Sequence, residues 1–238
     1  FKTQQEISCR GCAAKIPANS LKAALENAHL TPLGYQPQDS LEIATTKSGY
    51  RILQSVDGFP ALVNDPWLNG RLTSLHACSD LLASGATVTS AQALITLPDV
   101  SSILQEELLT QTLAGIESAL SEQGAHLIGG HTLEARSDAP VPMSMGIEVG
   151  LCVNGRILAD YSPWRKSGLQ IGDVLLVSRP IGTGVLFAAA MRGETSSEDY
   201  DEVINQISSS QHLLVEQIQS MQKKNEGNPI VHACTDIT

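Results

Sequence analysis

Gly11-Cys12-Ala13-Ala14-Lys15 sets a thiol three residues ahead of an ammonium. A nearby cation favours the thiolate, the form that attacks electrophiles or carries a soft atom. Further along, Asp57, Asp80 and Asp236 each lie in a short segment with a turn or helix signal. Carboxylates dispersed in this way suit ligands gathered from distant parts of a fold to hold Mg²⁺ and phosphate. A primed thiol together with a carboxylate set suggests nucleotide chemistry. Cys9 and Cys12 form a C-x-x-C, yet there is no second pair to complete a structural zinc site and no strand-then-helix context for a redox dithiol. Five cysteines spread over the chain suit reduced thiols, and Cys78, Cys152 and Cys234 read as core residues.

The elements that must position these groups follow from periodicity and punctuation. Asn19 or Ser20 caps a helix through about Ala28, with Leu21, Ala24, Leu25 and Ala28 on one face. Two short strands, about 41–46 and 51–56, flank a hairpin turn at Lys47-Ser48-Gly49-Tyr50, and the second ends at Asp57-Gly58. Asp65-Pro66 starts a helix that Gly85 closes, which puts Asp80 near its C-terminal end, where the helix dipole disfavours a carboxylate unless a cation is at hand. A strand over 91–97 and a helix over 102–122 ended by Gly124 follow. A short buried strand at 125–128 then leads into Gly129-Gly130-His131-Thr132, and a strand at roughly 143–153 completes the unit. From Trp164 the pattern restarts, with a strand at 174–178, a small-residue helix to Met191, a polar helix over about 197–223 and a strand near 230–233. Hairpins mixed with crossovers indicate an α+β fold, with a boundary near residue 160.

Composition narrows the partners. Fifteen basic against twenty-five acidic residues give a net charge of −10, which argues against a nucleic-acid partner. No apolar run reaches the roughly 18 residues needed to cross a bilayer, so a cytoplasmic protein is expected. The chain begins at Phe1 without an initiator Met and stops just after an apolar stretch, which reads as part of a longer polypeptide.

The ordered series of segments resembles the selenophosphate synthetase (selenide, water dikinase) family, of the aminoimidazole ribonucleotide synthetase-like superfamily. The segments are Gly11-Cys12-Ala13-Ala14-Lys15-Ile16, Val56-Asp57-Gly58-Phe59, Asp65-Pro66, Gly70-Arg71, Ser79-Asp80, Gly129-Gly130-His131-Thr132, Arg179-Pro180-Ile181-Gly182-Thr183-Gly184-Val185-Leu186 and Thr235-Asp236-Ile237-Thr238. The resemblance implies an N-terminal ATP-binding and dimerisation domain over 1–160, with a mixed sheet, flanking helices and a mobile catalytic loop at 8–16. Residues 161–238 would begin an incomplete second α+β domain. It implies an ATP-dependent phosphotransferase that converts ATP, selenide and water to selenophosphate, AMP and orthophosphate.

By the same resemblance Cys12 and Lys15 are catalytic, with Lys15 also on the ATP phosphates. Asp80 and Asp236 hold Mg²⁺, Asp57 lies close to the nucleotide, and Gly130, His131 and Thr132 serve phosphate from the neighbouring subunit of a homodimer. Two departures stand out. The family's paired aspartates read here as Asp39-Ser40, leaving Asp39 to serve as metal and nucleotide ligand or fewer ions to bind, and Ala13-Ala14 replaces a glycine and a second cysteine. Some members follow a flavoprotein oxidoreductase in one chain.

Two other readings stay open. One is another enzyme of the superfamily, such as a thiamine monophosphate kinase or ribonucleotide cyclase, against which the Cys12 and Lys15 loop argues. The other is a nucleotide-binding or scaffolding module with a degenerate metal site, for which Ser40 is the best support. Taken singly, Asp57 before Gly58 reads as a turn residue, His131 as part of a tight turn and Gly182-Thr183-Gly184 as an ordinary helix start.

Overall fold

A computed structural model describes residues 16–30, 38–135, 147–225 and 229–237. Cys12, Lys15 and the expected loop at 8–16 lie outside the described residues. In chain order the elements are α1 (Ala18–Asn27), β1 (Leu41–Thr45), β2 (Tyr50–Pro60), α2 (Pro66–Ala83), β3 (Thr87–Leu97), α3 (Ser102–Glu122), β4 (His126–Glu134), β5 (Glu148–Leu158), α4 (Thr183–Met191), α5 (Ser197–Ile207) and α6 (His212–Lys224).

The five strands form one mixed sheet in the order β1-β2-β5-β3-β4. All neighbours are antiparallel except β3 and β4, which the crossover helix α3 joins in parallel. Alternate residues of β3 and β5 (Ala91, Ala93, Ile95, Leu97 and Val149, Leu151, Val153) point into a core shared with Ala77, Cys78 and Leu81 of α2 and Ile116 and Leu120 of α3. Each fully buried Leu or Ile there contributes roughly 1.5–3 kcal/mol over an exposed one. Among the described residues the opposite face of the sheet is open, with Val56 72% and Leu94 51% exposed.

Helices α2 and α3 touch backbone to backbone. A Cβ at Gly115 would lie 1.9 Å from the Trp67 carbonyl oxygen, and one at Gly70 would lie 2.3 Å from that of Thr112. The Gly70-Arg71 pair therefore has a structural reason. Gly70 admits α3, and Arg71 then reaches Ser118, Glu122 and the Ser208 carbonyl.

The expected punctuation of α2 is present. Asp65 Oδ1 accepts a 2.8 Å hydrogen bond from the Leu68 amide, Pro66 fills the first turn, and Gly85 ends the helix at φ +74°. Gly124 likewise follows α3 at φ +70°.

Several local expectations are corrected. Asp57-Gly58 does not end its strand: β2 runs on to Pro60, because Gly58 meets β5, where a Cβ would sit 2.5 Å from the Val149 carbonyl. The strand at 125–128 continues to Glu134 and is largely exposed, since β4 is the sheet edge. The strand expected at 143–153 runs on to Leu158 as β5 (Glu148–Leu158), while the first part of the expected span, 143–146, lies outside the described residues. Pro17, not Asn19 or Ser20, occupies the N-cap of α1, and that helix has no buried residue.

In the second half the polar helix over 197–223 is two helices. Ser208-Ser209-Ser210 interrupts it, as short hydroxyl side chains that compete for backbone hydrogen bonds tend to do. The apolar runs at 174–178 and 230–233 form no strand, and no ladder partner for either lies among the described residues. Val174, Leu175, Leu176 and Val177 are exposed as a result. Of the cysteines read as core, Cys78 is buried, whereas Cys152 and Cys234 are half-buried.

Candidate metal and nucleotide site

Asp39, Asp80 and Asp236 come from three separate segments: the lead into β1, the last turn of α2, and the extended stretch before residue 238. Their carboxylates offer ligand atoms that all lie within 4.8 Å of one another. Each is held by a neighbour. Ser55, on the face of β2 that looks at α2, donates a 2.5 Å hydrogen bond to Asp80 Oδ2. Ser79 Oγ lies 2.7 Å from Asp236 Oδ2. Lys166 Nζ lies 2.6 Å from Asp39 Oδ1, whose side chain is only 6% exposed.

Burial raises the Asp80 carboxyl to about 6; the Ser55 hydrogen bond opposes this, while Asp236, Asp57 and Asp39 add to it by repulsion. The cluster therefore concentrates negative charge, of which the Lys166 ammonium offsets only the share on Asp39. Three hard oxygen donors suit Mg²⁺ rather than a soft metal. Cys234, two residues before Asp236, is raised by burial and by the charges of Asp39 and Asp236, so it stays protonated and offers no competing thiolate. The residues present fit a magnesium ion.

Asp57 sits two residues from Ser55 on the same face of β2, with Oδ2 3.1 Å from His76 Nε2 on α2. His76 is one helical turn ahead of Asp80. Asp57 thus borders the cluster, close enough to raise the Asp80 pKa, without being one of the three grouped carboxylates.

Ser40 is not in the cluster. It is 8% exposed and its hydroxyl donates to Ser84 Oγ over 2.6 Å, which ties residue 40 to the C-cap of α2 and leaves Asp39 with the other carboxylates.

Gly130, His131 and Thr132 do not join this group within one chain. They lie on β4, paired with Ala93, Leu94 and Ile95, at the opposite edge of the sheet from β1. Three strand spacings, roughly 14 Å, separate β4 from the β2 strand that carries Asp57. There Gly129 to Thr132, with Ala93, Ile95, Leu113 and Leu127, line a cavity of about 300 Å³. Gly130 is required for packing, since a Cβ would fall 2.1 Å from the Ala93 carbonyl oxygen.

Sequence reasoning missed Lys166, Ser55 and His76. His76 and Asp80 stand at i and i+4 on one helix, a spacing that could have been noticed. Lys166 and Ser55 carry no such signal, because their partners are distant in the chain.

Residues 38–152 match the family model of the AIR synthase related protein, N-terminal domain. The chain is 30% identical to a selenide, water dikinase of Pelobacter propionicus over 246 aligned residues, all of this chain and 64% of that protein. A selenide, water dikinase of Nitratidesulfovibrio vulgaris is 32% identical over 81% of this chain and 53% of its own length. The chain thus spans less than two-thirds of the curated relatives it matches. Among solved structures, a thiamine monophosphate kinase from Aquifex aeolicus superposes with a TM-score of 0.62 at 14% identity, covering 84% of this chain and 64% of that one, a likeness of fold.

Proposed function

We propose, from the premise that this chain carries an AIR synthase related N-terminal domain and is a relative of the selenide, water dikinases, that it is the ATP-binding part of an enzyme making selenophosphate from ATP, selenide and water. The observation that carries the reading is the convergence of Asp39, Asp80 and Asp236 within 4.8 Å. In this reading they hold Mg²⁺, which supplies charge neutralisation and Lewis acidity to the triphosphate. Asp57 lies toward the nucleotide, positioned by His76. Cys12 is the selenium carrier, because a soft, polarizable sulfur suits that atom, and Lys15 keeps the thiol ionised and offsets phosphate charge. Release of AMP and orthophosphate follows from transfer of a phosphoryl group to selenium and cleavage of the remaining diphosphate.

Residues 1–160 form the ATP and dimerisation unit in this reading, and 161–238 begin a second domain. The open face of the sheet supports a homodimer: Leu41, Val56, Leu94 and Leu133 lie on the side away from α2 and α3 and are 43–72% exposed. A second copy over that face would bring a Gly130-His131-Thr132 edge to a site that one chain leaves without it. The protein is cytoplasmic in this account; no helix among the described residues is long and apolar enough to cross a membrane. Fusion to a flavoprotein oxidoreductase is compatible with it.

The test is to supply the full-length protein with ATP, Mg²⁺ and selenide and follow AMP. Selenide-dependent AMP is expected, abolished in Cys12→Ser with ATP binding retained. AMP formed equally by Cys12→Ser would remove the thiol from the mechanism, and absence of ATP binding would favour a scaffold.

A further inference from the structure

The segment Trp164–Gly168 belongs to no helix or strand, yet it is sewn to all three segments that carry the clustered carboxylates. Toward Asp39, the Lys166 amide donates to Gln38 Oε1 over 3.2 Å. Toward Asp80, the Trp164 amide donates to the Ser84 carbonyl over 3.0 Å, and the indole lies where a Cβ on Gly85 would be 2.8 Å away. Toward Asp236, the Cys234 amide donates to the Arg165 carbonyl over 2.9 Å, and Gly168 passes so close that a Cβ would sit 2.4 Å from the His232 carbonyl. A strap tied at these points fixes the backbone of Lys166 beside the cluster. Its ammonium then pairs with Asp39 at 2.6 Å.

We infer that Lys166 is a resident counter-cation of the carboxylate cluster, neutralising Asp39 when no divalent ion is bound and competing with that ion for the same carboxylate. This rests on the cluster being the cation site proposed above. The charges make the exchange feasible. Asp39 is almost fully enclosed, so it needs a positive partner in either state. Lys166 is 43% exposed, and a lysine held on a flexible stem at the surface is a weak partner that a doubly charged ion can displace. The strap keeps the displaced ammonium tethered nearby, and the ion-free cluster is spared the repulsion of three uncompensated carboxylates.

Mn²⁺ binding to the full-length protein, followed by electron paramagnetic resonance without nucleotide, reads this directly. Lys166→Met should bind Mn²⁺ about tenfold more tightly than wild type, and Lys166→Arg should stay near wild type because it keeps the charge. In the absence of metal, Lys166→Met should also melt at lower temperature and gain more from added Mg²⁺ than wild type gains. Unchanged or weaker Mn²⁺ binding by Lys166→Met, with Asp80→Asn abolishing binding in wild type, would overturn the competition while leaving the cluster as a metal site. No saturable Mn²⁺ binding by any of these proteins would overturn the metal reading, and this inference with it.

Discussion

Ser79 Oγ meets Asp236 Oδ2 at 2.7 Å across 157 positions of sequence, so the residue next to Asp80 anchors the segment that delivers another carboxylate to the same cluster. The same hydroxyl also lies 2.7 Å from the His76 carbonyl, and its one hydrogen must choose between them. Ser79→Ala should therefore cost about 1 kcal/mol of stability by the ordinary worth of a hydrogen bond. It should also weaken divalent-ion affinity by loosening Asp236. Chemical denaturation and Mn²⁺ titration of the same variant check both.

Asp80 makes ion binding depend on pH. Its carboxyl is raised to about 6 from an ordinary 3.8, so the ion-free fold binds a proton there that the unfolded chain releases. That contribution to stability is fully present below pH 3.8 and is lost as pH rises through about 6. A divalent ion works in the other direction, because it binds the carboxylate. Mn²⁺ affinity should rise with pH through about 6, and Ser55→Ala, which removes the hydrogen bond that opposes the shift, should move this midpoint upward. A midpoint that does not move in Ser55→Ala would count against the role given to Ser55.

The contact between α2 and α3 separates two kinds of glycine. Gly115→Ala places a methyl 1.9 Å from the Trp67 carbonyl and forces the helices apart, which should cost about 3 kcal/mol. Gly124→Ala meets nothing within 4 Å and suffers only its φ of +70°, about 1 kcal/mol. Urea unfolding of the two variants should reproduce that order.

Cys78 is buried, and burial pushes its thiol up to about 12. Alkylation of the native protein at pH 8 should leave it unmodified, and unfolding should expose it. Peptide mapping after labelling checks this and identifies which thiols react in the native state.

The open sheet face offers a test of assembly. Val56→Glu puts a charge at a position 72% exposed in one chain, so it should leave the monomer's stability within about 0.5 kcal/mol. If the proposed homodimer forms through this face, light scattering should show the wild type as a dimer and Val56→Glu as a monomer. A dimer that persists would place the contact elsewhere.

Patterns that act over a few residues were legible in the sequence: the capped start of α2 at Asp65-Pro66, its stop at Gly85, the hairpin around Lys47 to Tyr50, the helix over 102–122 and the mixed α+β order. Caps, turns and apolar periodicity depend on neighbours along the chain, so one strand of text contains them. The strands expected at 174–178 and 230–233 failed because a strand also needs a ladder partner, which periodicity does not reveal. Tertiary structure alone decided that Gly58 admits β5 rather than turning the chain, that Ser40 bonds Ser84 at the C-cap of α2 while Asp39 joins Asp80 and Asp236, and that Lys166 arrives beside them. Residue types suggested the cation-binding, nucleotide-using chemistry proposed here. Which carboxylates meet, and which lysine answers their charge, depended on contacts between segments far apart in the chain, and no local preference encodes those.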